Sequence, residues 1–349
     1  MADVCARLYL FKCKLFAPPR VIYVVSCAWC GFKRMRVLSF PSVTVAVLVA
    51  ILVPLRAAPE DNQVSWSNMV WESFNVNGHT VDHAALMVEV ELEGSSTPVL
   101  MQLDLGTYLT VMYRSSYARL RRDDRATENG VLMSGAIANR RFQDETFGFR
   151  PDAGEPDPSK KPIRLGTVGS SFFEHRILLL DFVKQRLAIL EEGAALPPAL
   201  ERGVEYLPLT FKYGHVLVAA TIDGREEPGV IFDTGSSMIP FFTGHKRWTE
   251  LTHRQAGDPA NSIVRLDSWG RQAVAIGAPI EGALCIGSAC VSHPVIYCEG
   301  SGLPNLDLDK YSFVASGLIG NVIFDGRFTV IVDIPGGRFG LVGGSLGTP

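Results

Sequence analysis

The sequence has no run of basic residues interleaved with aromatics, the footprint of a nucleic-acid surface. Lys and Arg number 33 against 36 Asp and Glu, a net charge of −3, and nucleic acid is therefore not an expected partner. Metal-binding spacing is also missing. None of the seven histidines falls in a His-Glu-x-x-His pattern. His79 and His83 are four apart in a Gly- and Asn-containing approach to a strand, and read as an exposed surface pair. Cysteine is scarce outside the N-terminal stretch: Cys5, Cys13, Cys27 and Cys30 lie there, and only Cys285, Cys290 and Cys298 follow. No second Cys or His pair completes a zinc set around those three. No metal and no cofactor is expected. Residues 343–347 fit G-x-S-x-G, but no helix can follow them, so a nucleophile elbow is excluded and the stretch reads as a flexible tail.

What is present begins with an ordinary globular composition, 349 residues with 47% hydrophobic and 20% charged, enough for one large domain or two lobes. The first 58 residues stand apart. Lys33, Arg34 and Arg36 form a basic cluster, residues 37–55 are almost wholly apolar, and Ala57 and Ala58 precede Pro59-Glu60-Asp61. That order matches a secretory signal, with Met35 as its natural start, and implies export to a periplasm or the cell exterior. The alternative is a retained membrane anchor, because about 19 apolar residues approach the length that spans a bilayer. In an exported chain Cys285 and Cys290 could close a small disulfide loop with Cys298 free. Three buried thiols is the other reading.

The remainder is written twice. Residues 85–94 alternate apolar and polar, turn at Gly94, and resume at Val99 to end on Asp104; residues 215–224 and 230–233 repeat that hairpin and end on Asp233. Each copy continues Asp-x-Gly and a hydroxyl residue: Asp104-Leu105-Gly106-Thr107 and Asp233-Thr234-Gly235-Ser236. Gly166-Thr167-Val168-Gly169 is echoed by Gly317-Leu318-Ile319-Gly320, Asp181 and Arg186 by Asp333 and Arg338. Gly130 to Gly169 is 39 positions and Gly282 to Gly320 is 38, so the rear halves are nearly in register. The front halves differ: Asp233 to Gly282 is 49 positions and Asp104 to Gly130 is 26, which leaves 23 extra in copy two between Gly244 and Ala275. Residues 193–207, with Pro197-Pro198, read as a linker, and 152–162 as a surface loop. The resulting plan is a leader over 1–58, a first lobe over 59–192 and a second over 208–345.

Asp233-Thr234-Gly235-Ser236-Ser237 after an apolar strand, with Leu318-Ile319-Gly320-Asn321 downstream, resembles the active-site and apolar-apolar-Gly motifs of aspartic peptidases. The likeness is nearest to the short retroviral-type units of bacterial aspartyl peptidases, here as two fused copies over about residues 80–345. It implies an all-β, two-lobed, acid-protease-like barrel fold with pseudo-two-fold symmetry, a monomer, and Asp104 and Asp233 as a catalytic pair acting on a peptide or protein substrate. Two close carboxylates cannot both ionise cheaply, so they share a proton, one acting as base toward water and the other as acid toward the carbonyl. The glycines Gly106 and Gly235 let the chain turn just after each carboxylate. By resemblance Thr107 and Ser236 hydrogen-bond the carboxylates, and Thr234 bonds across to the other lobe. Leu105 stands where the family has threonine and cannot do so, which predicts a perturbed pair. The family's glycine-tipped flap falls on the extra piece of copy two at Trp269 and Gly270; a surface excursion is the other reading of that insertion. A non-catalytic peptide-binding or scaffold protein is the rival function, and pairing of copy two with itself in a homodimer the rival arrangement.

Overall fold

The computed structural model describes residues 64–97, 99–120, 126–150, 161–268, 271–301, 308–309 and 314–344. The leader, most of the 152–162 loop, Trp269, Gly270 and the end of the G-x-S-x-G stretch lie outside the described residues. Among the described residues no helix is long and apolar enough to cross a membrane.

The fold is all-β, with three sheets among the described residues. A seven-stranded sheet is built only from residues before Gly169, and a ten-stranded sheet only from residues after Pro208. The third sheet is shared. Its six strands run in the order Ser67–Asn68, Arg186–Glu191, Arg176–Asp181, Phe328–Asp333, Arg338–Gly343, Glu205–Pro208, so the same three-strand unit is met from either edge inwards. The central pair is antiparallel and places Leu179 opposite Ile331, which marks the pseudo-two-fold axis.

The central strands read as continuous apolar runs because both of their faces are covered. One face adds to the main core, through Leu178, Leu180, Val330 and Val332. The other, with Ile177, Leu179, Ala188 and Ile331, is covered by Leu196, Leu200 and Val204. The segment expected to be a linker is therefore part of the structure. It holds the short helix Pro198–Glu201, and its end forms the edge strand Glu205–Pro208.

The sheet's two hairpin turns repeat in atomic detail. Asp181 Oδ1 accepts from Lys184 N–H at 3.0 Å and Oδ2 from Arg186 Nε at 2.9 Å. Asp333 Oδ1 accepts from Gly336 N–H at 2.8 Å and Oδ2 from Arg338 Nε at 2.9 Å. Each guanidinium then lies over an aromatic ring of the next segment, Arg186 over Trp66 at 4.1 Å and Arg338 over Tyr206 at 4.8 Å. A buried carboxylate needs such a partner, which explains why Asp and Arg recur five residues apart in both copies.

A second fastening joins the lobes away from this sheet. His83 Nδ1 meets Asp325 Oδ2 at 2.6 Å, Gln185 Nε2 donates to Asp325 Oδ1 at 3.1 Å, and Trp71 Nε1 donates to Gln185 Oε1 at 2.5 Å. The His83 ring stacks on Trp71 with centroids 4.5 Å apart. The expectation of an exposed surface pair is corrected for His83: a partner in the other lobe, Asp325, which no local pattern announces, holds it. Elsewhere, Cys285 and Cys290 face each other across a hairpin and form a disulfide, and Cys298 is a buried thiol, pushed up to about 12 by burial and the nearby charges of Asp309 and Glu299.

The extra residues of copy two form the hairpin Ser262–Ser268 and Arg271–Pro279, added to the outer edge of strand Val295–Ser301. Asn77, at the tip of the hairpin Val70–Val76/His79–Leu92, donates through Nδ2 to Ile263 O at 2.5 Å and so ties this hairpin to the first lobe.

Candidate active site

Both aspartates are placed by the same local construction. In the first lobe, strand Val99–Leu103 runs parallel to Ile163–Val168, which pairs antiparallel with Val111–Met112. In the second, Arg225–Phe232 runs parallel to Gly317–Ile319, which pairs antiparallel with Phe241–Thr243. The chain crossing from one outer strand to the other carries the aspartate. Asp104 N–H is held by Val168 O at 3.1 Å and Asp233 N–H by Ile319 O at 2.8 Å. Small residues at Gly169 and Gly320 are required because a methyl there would strike the backbone of the passing loop: Tyr108 and Leu109 in one case, Ser236 and Ile239 in the other.

The two loops meet across the lobe boundary. The carboxyl groups of Asp104 and Asp233 lie close enough to shift one another's titration. Gly106 packs on the Asp233 carboxylate, where a methyl on it would overlap Oδ1, and Gly235 packs on Asp104, where a methyl would come 2.6 Å from Cγ. The requirement for glycine is therefore a close approach to the opposite carboxylate, which goes beyond the sharp turn that its own loop was expected to need.

The hydrogen bonds around the pair are unequal. Asp104 Oδ1 accepts from Thr107 N–H and Oδ2 from Thr107 Oγ1, each at 3.1 Å. Asp233 Oδ1 accepts from Gly235 N–H at 2.9 Å. The hydroxyl bond expected from Ser236 to Asp233 is absent among the described contacts; the next serine, Ser237, is the one engaged, donating to Thr234 O and accepting from Asn321 Nδ2. Burial raises the pKa of both carboxyls above the usual carboxylate range. Asp233 is raised well above that range, with the charge on Asp104 adding to burial and the Gly235 and Gly106 backbones offsetting part of it; at Asp104 the bonds from Thr107 and the Gly106 backbone offset part of the effect of burial.

Across the boundary, Thr234 Oγ1 accepts from Leu105 N–H and donates to Leu103 O, both at 2.9 Å. Leu105 makes no reciprocal side-chain bond; its side chain is fully buried in the main core. Its place as a cross-lobe donor is taken by Gln102, whose Nε2 donates to Gly235 O at 3.1 Å. Sequence reasoning missed Gln102, although a polar side chain within the buried strand Val99–Leu103 is a signal that a partner is nearby.

His215 was missed as well. It opens the strand His215–Ile222, beside the Gly106 backbone and close enough to feel the Asp104 charge. Trp269 and Gly270, expected at a flap tip, lie outside the described residues, and the strands that lead to them form the extra hairpin.

Two β-rich lobes that each present one aspartate to a common boundary define an acid-protease-like architecture. No family model matches the chain, and no curated protein matches it in sequence. Among solved structures the chain is similar to an aspartic proteinase from Irpex lacteus, at 12% identity and TM-score 0.44, over 76% of this chain and 96% of that one. It is also similar to Basic 7S globulin from soybean, at 9% identity and TM-score 0.42, over 80% of this chain and 94% of that one.

Proposed function

We propose that this chain is an aspartic endopeptidase that hydrolyses peptide bonds with a water activated by Asp104 and Asp233. The observation that carries the reading is the mutual approach of the two aspartate loops, each carboxyl packed on the other loop's glycine, with both pKa values raised. Asp104, better supplied with donors, is the ionised base toward the water; Asp233 donates its proton to the scissile carbonyl oxygen. As the tetrahedral species collapses, the pair returns a proton to the leaving amine. Thr107 and the Gly106 and Gly235 backbones orient the carboxylates, Thr234 and Gln102 hold the loops together, and the hairpin containing Trp269 and Gly270 acts as the flap over bound substrate.

The plan of a leader over 1–58, lobes over 59–192 and 208–345, and descent from two fused retroviral-type units is part of the same proposal. So is export, to a periplasm or the cell exterior, with membrane attachment if the leader is kept. The basic-apolar-small order before Pro59 supports it, and the Cys285–Cys290 disulfide fits an oxidising compartment.

The test is peptide cleavage between acidic and neutral pH by the purified chain, with Asp104→Asn and Asp233→Asn made separately. Each is expected to lower kcat/KM by about a thousandfold or more. Cleavage that survives either change would falsify the shared-pair mechanism. If only Asp233→Asn matters, copy two is pairing with itself. A peptide-binding protein without turnover is favoured by one observation, the missing Ser236 bond, and would show saturable peptide binding with no cleavage in the unaltered chain.

A further inference from the structure

We propose that the Cys285–Cys290 disulfide is a thiol-exchange site, opened and closed in the folded chain by an external dithiol that enters at Cys290, and that its opening loosens the turn supporting the Asp233 loop. The inference goes beyond the peptidase reading and does not depend on it.

The disulfide lies where it adds little to holding the chain together. It joins the two strands of one hairpin, Ala283–Ile286 and Ala289–Ser292, directly across the ladder. Those strands are already paired at Ala283 and Ser292, Leu284 and Val291, Cys285 and Cys290, and Ile286 and Ala289. The hairpin tip is tied separately, since Ser288 N–H donates to Glu205 Oε2 at 3.0 Å. A bridge between residues only 5 apart closes a very short loop, so the restriction it places on the unfolded chain is small.

Its surroundings favour exchange. Leu284, Ile286 and Ala289 turn into the core, so by strand alternation the two sulfurs lie on the opposite, solvent-facing side; Cys290 is exposed and Cys285 half-buried. Among the described residues Ala289–Ser292 is an edge strand, paired on one side alone. An approaching thiolate meets a positive charge there, because Arg327 Nη1 donates to Cys290 O at 2.9 Å. Access and charge together select Cys290 as the sulfur attacked.

The exchange balances with the dithiol as the only co-reactant. One of its thiolates attacks the Cys290 sulfur, the Cys285–Cys290 bond breaks, and Cys285 leaves as a thiolate that takes up a proton. The second thiol of the reagent loses its proton and attacks its own partner sulfur in the mixed disulfide, which releases Cys290 to be protonated in turn. The chain gains two electrons and two protons, and the dithiol gives them up as it closes to a disulfide.

Opening reaches the aspartate loop through Arg327. Its Nη1 holds Cys290 O, and its Nη2 donates to Ile323 O in the short turn Asn321–Ile323, against which the edge strand packs. From the same turn Asn321 Nδ2 donates to Thr234 O at 2.8 Å and to Ser237 Oγ at 3.0 Å. Once the covalent tie is gone, backbone pairing on one side is all that keeps Ala289–Ser292 in its sheet. Fraying of that edge frees the guanidinium and takes an outer support from the turn.

Three measurements on the full chain decide it. The first treats the folded chain with dithiothreitol, alkylates the free thiols and locates the label by peptide mapping. Cys285 and Cys290 should both label while the buried thiol Cys298 stays protected, and oxidised dithiothreitol should close the bond again. A bond that opens only as fast as Cys298 becomes labelled opens by unfolding, which overturns the proposal. With the monothiol glutathione the mixed disulfide should sit on Cys290; its appearance on Cys285 overturns the assigned point of entry. The second is the double variant Cys285→Ser, Cys290→Ser, which should unfold as cooperatively as the parent at nearly the same midpoint. A variant that cannot fold makes the bridge a structural staple and refutes the exchange role. The third is hydrogen exchange after dithiothreitol. Amides of 283–292 and 321–323 should exchange about tenfold faster or more, while those of Arg176–Asp181 keep their rate and the double variant shows no further change. Unmoved exchange at 321–323 overturns the link to the Asp233 loop, and a uniform rise throughout the chain overturns exchange in the folded state.

Discussion

The loop around Asp104 and the loop around Asp233 share one backbone plan but are held in place differently. The Asp233 loop reaches across with a side chain, Thr234, that bonds two backbone groups of its neighbour. The Asp104 loop buries Leu105 in the core and reaches back from the preceding strand, through Gln102. In compensation Asp104 receives more donors than Asp233. Symmetry is thus kept where geometry demands it, at the two glycines, and relaxed where any hydrogen bond across the boundary will serve. The departure at Leu105 thus leaves the two loops meeting, each glycine still packed on the opposite carboxyl.

The comparison breaks most completely at the glycines. Gly235→Ala should abolish measurable cleavage, because the new methyl needs the space of the Asp104 carboxyl, and Gly106→Ala should do the same at Asp233. A crystal structure of either variant should show the carboxyls moved apart; an undisturbed pair would refute the packing argument. Thr234→Ala removes two cross-lobe bonds at once and strands buried backbone groups, a loss of about 2–3 kcal/mol in chemical denaturation. Gln102→Leu removes one neutral bond, and the loss should be nearer 1 kcal/mol. If the two variants cost the same, the account of how each loop is fastened is wrong.

The pH dependence sharpens the same contrast. Both carboxyls have native pKa values raised above their unfolded values, so their contribution to stability is full below the ordinary carboxylate range and is lost as pH rises through the raised values. Asp233→Asn, which removes the more strongly raised member, should therefore flatten the decline of stability between acidic and neutral pH. Denaturation midpoints of variant and parent across that range check it; parallel curves would contradict the assignment.

Much of this arrangement was legible in the sequence because it depends on local pattern. The alternating strands, the two Asp-x-Gly loops and the Asp-to-Arg spacing at 181–186 and 333–338 each state a short-range geometry. The insertion in copy two could be counted from the spacing alone. What was not legible depends on which segments meet. His215 and His83 sit in unremarkable local sequence, Gln102 signals a partner without saying which, and all three partners lie more than a hundred positions away. Ser236 misled for the opposite reason: the residue type is right and adjacent, but the hydroxyl that engages is on Ser237.

The shared sheet also dictates an order of assembly. Leu179 and Ile331, opposite each other at its centre, are 152 positions apart in the chain. Contacts of that range form late, because a long loop must close before they contribute. As the chain emerges during synthesis, strand Arg176–Asp181 is complete long before its partner exists. It then presents an apolar open edge, which is a template for wrong pairing. Nascent chains should be most prone to aggregate between those two events, and a trapped first half should be captured by a peptide copying Phe328–Asp333.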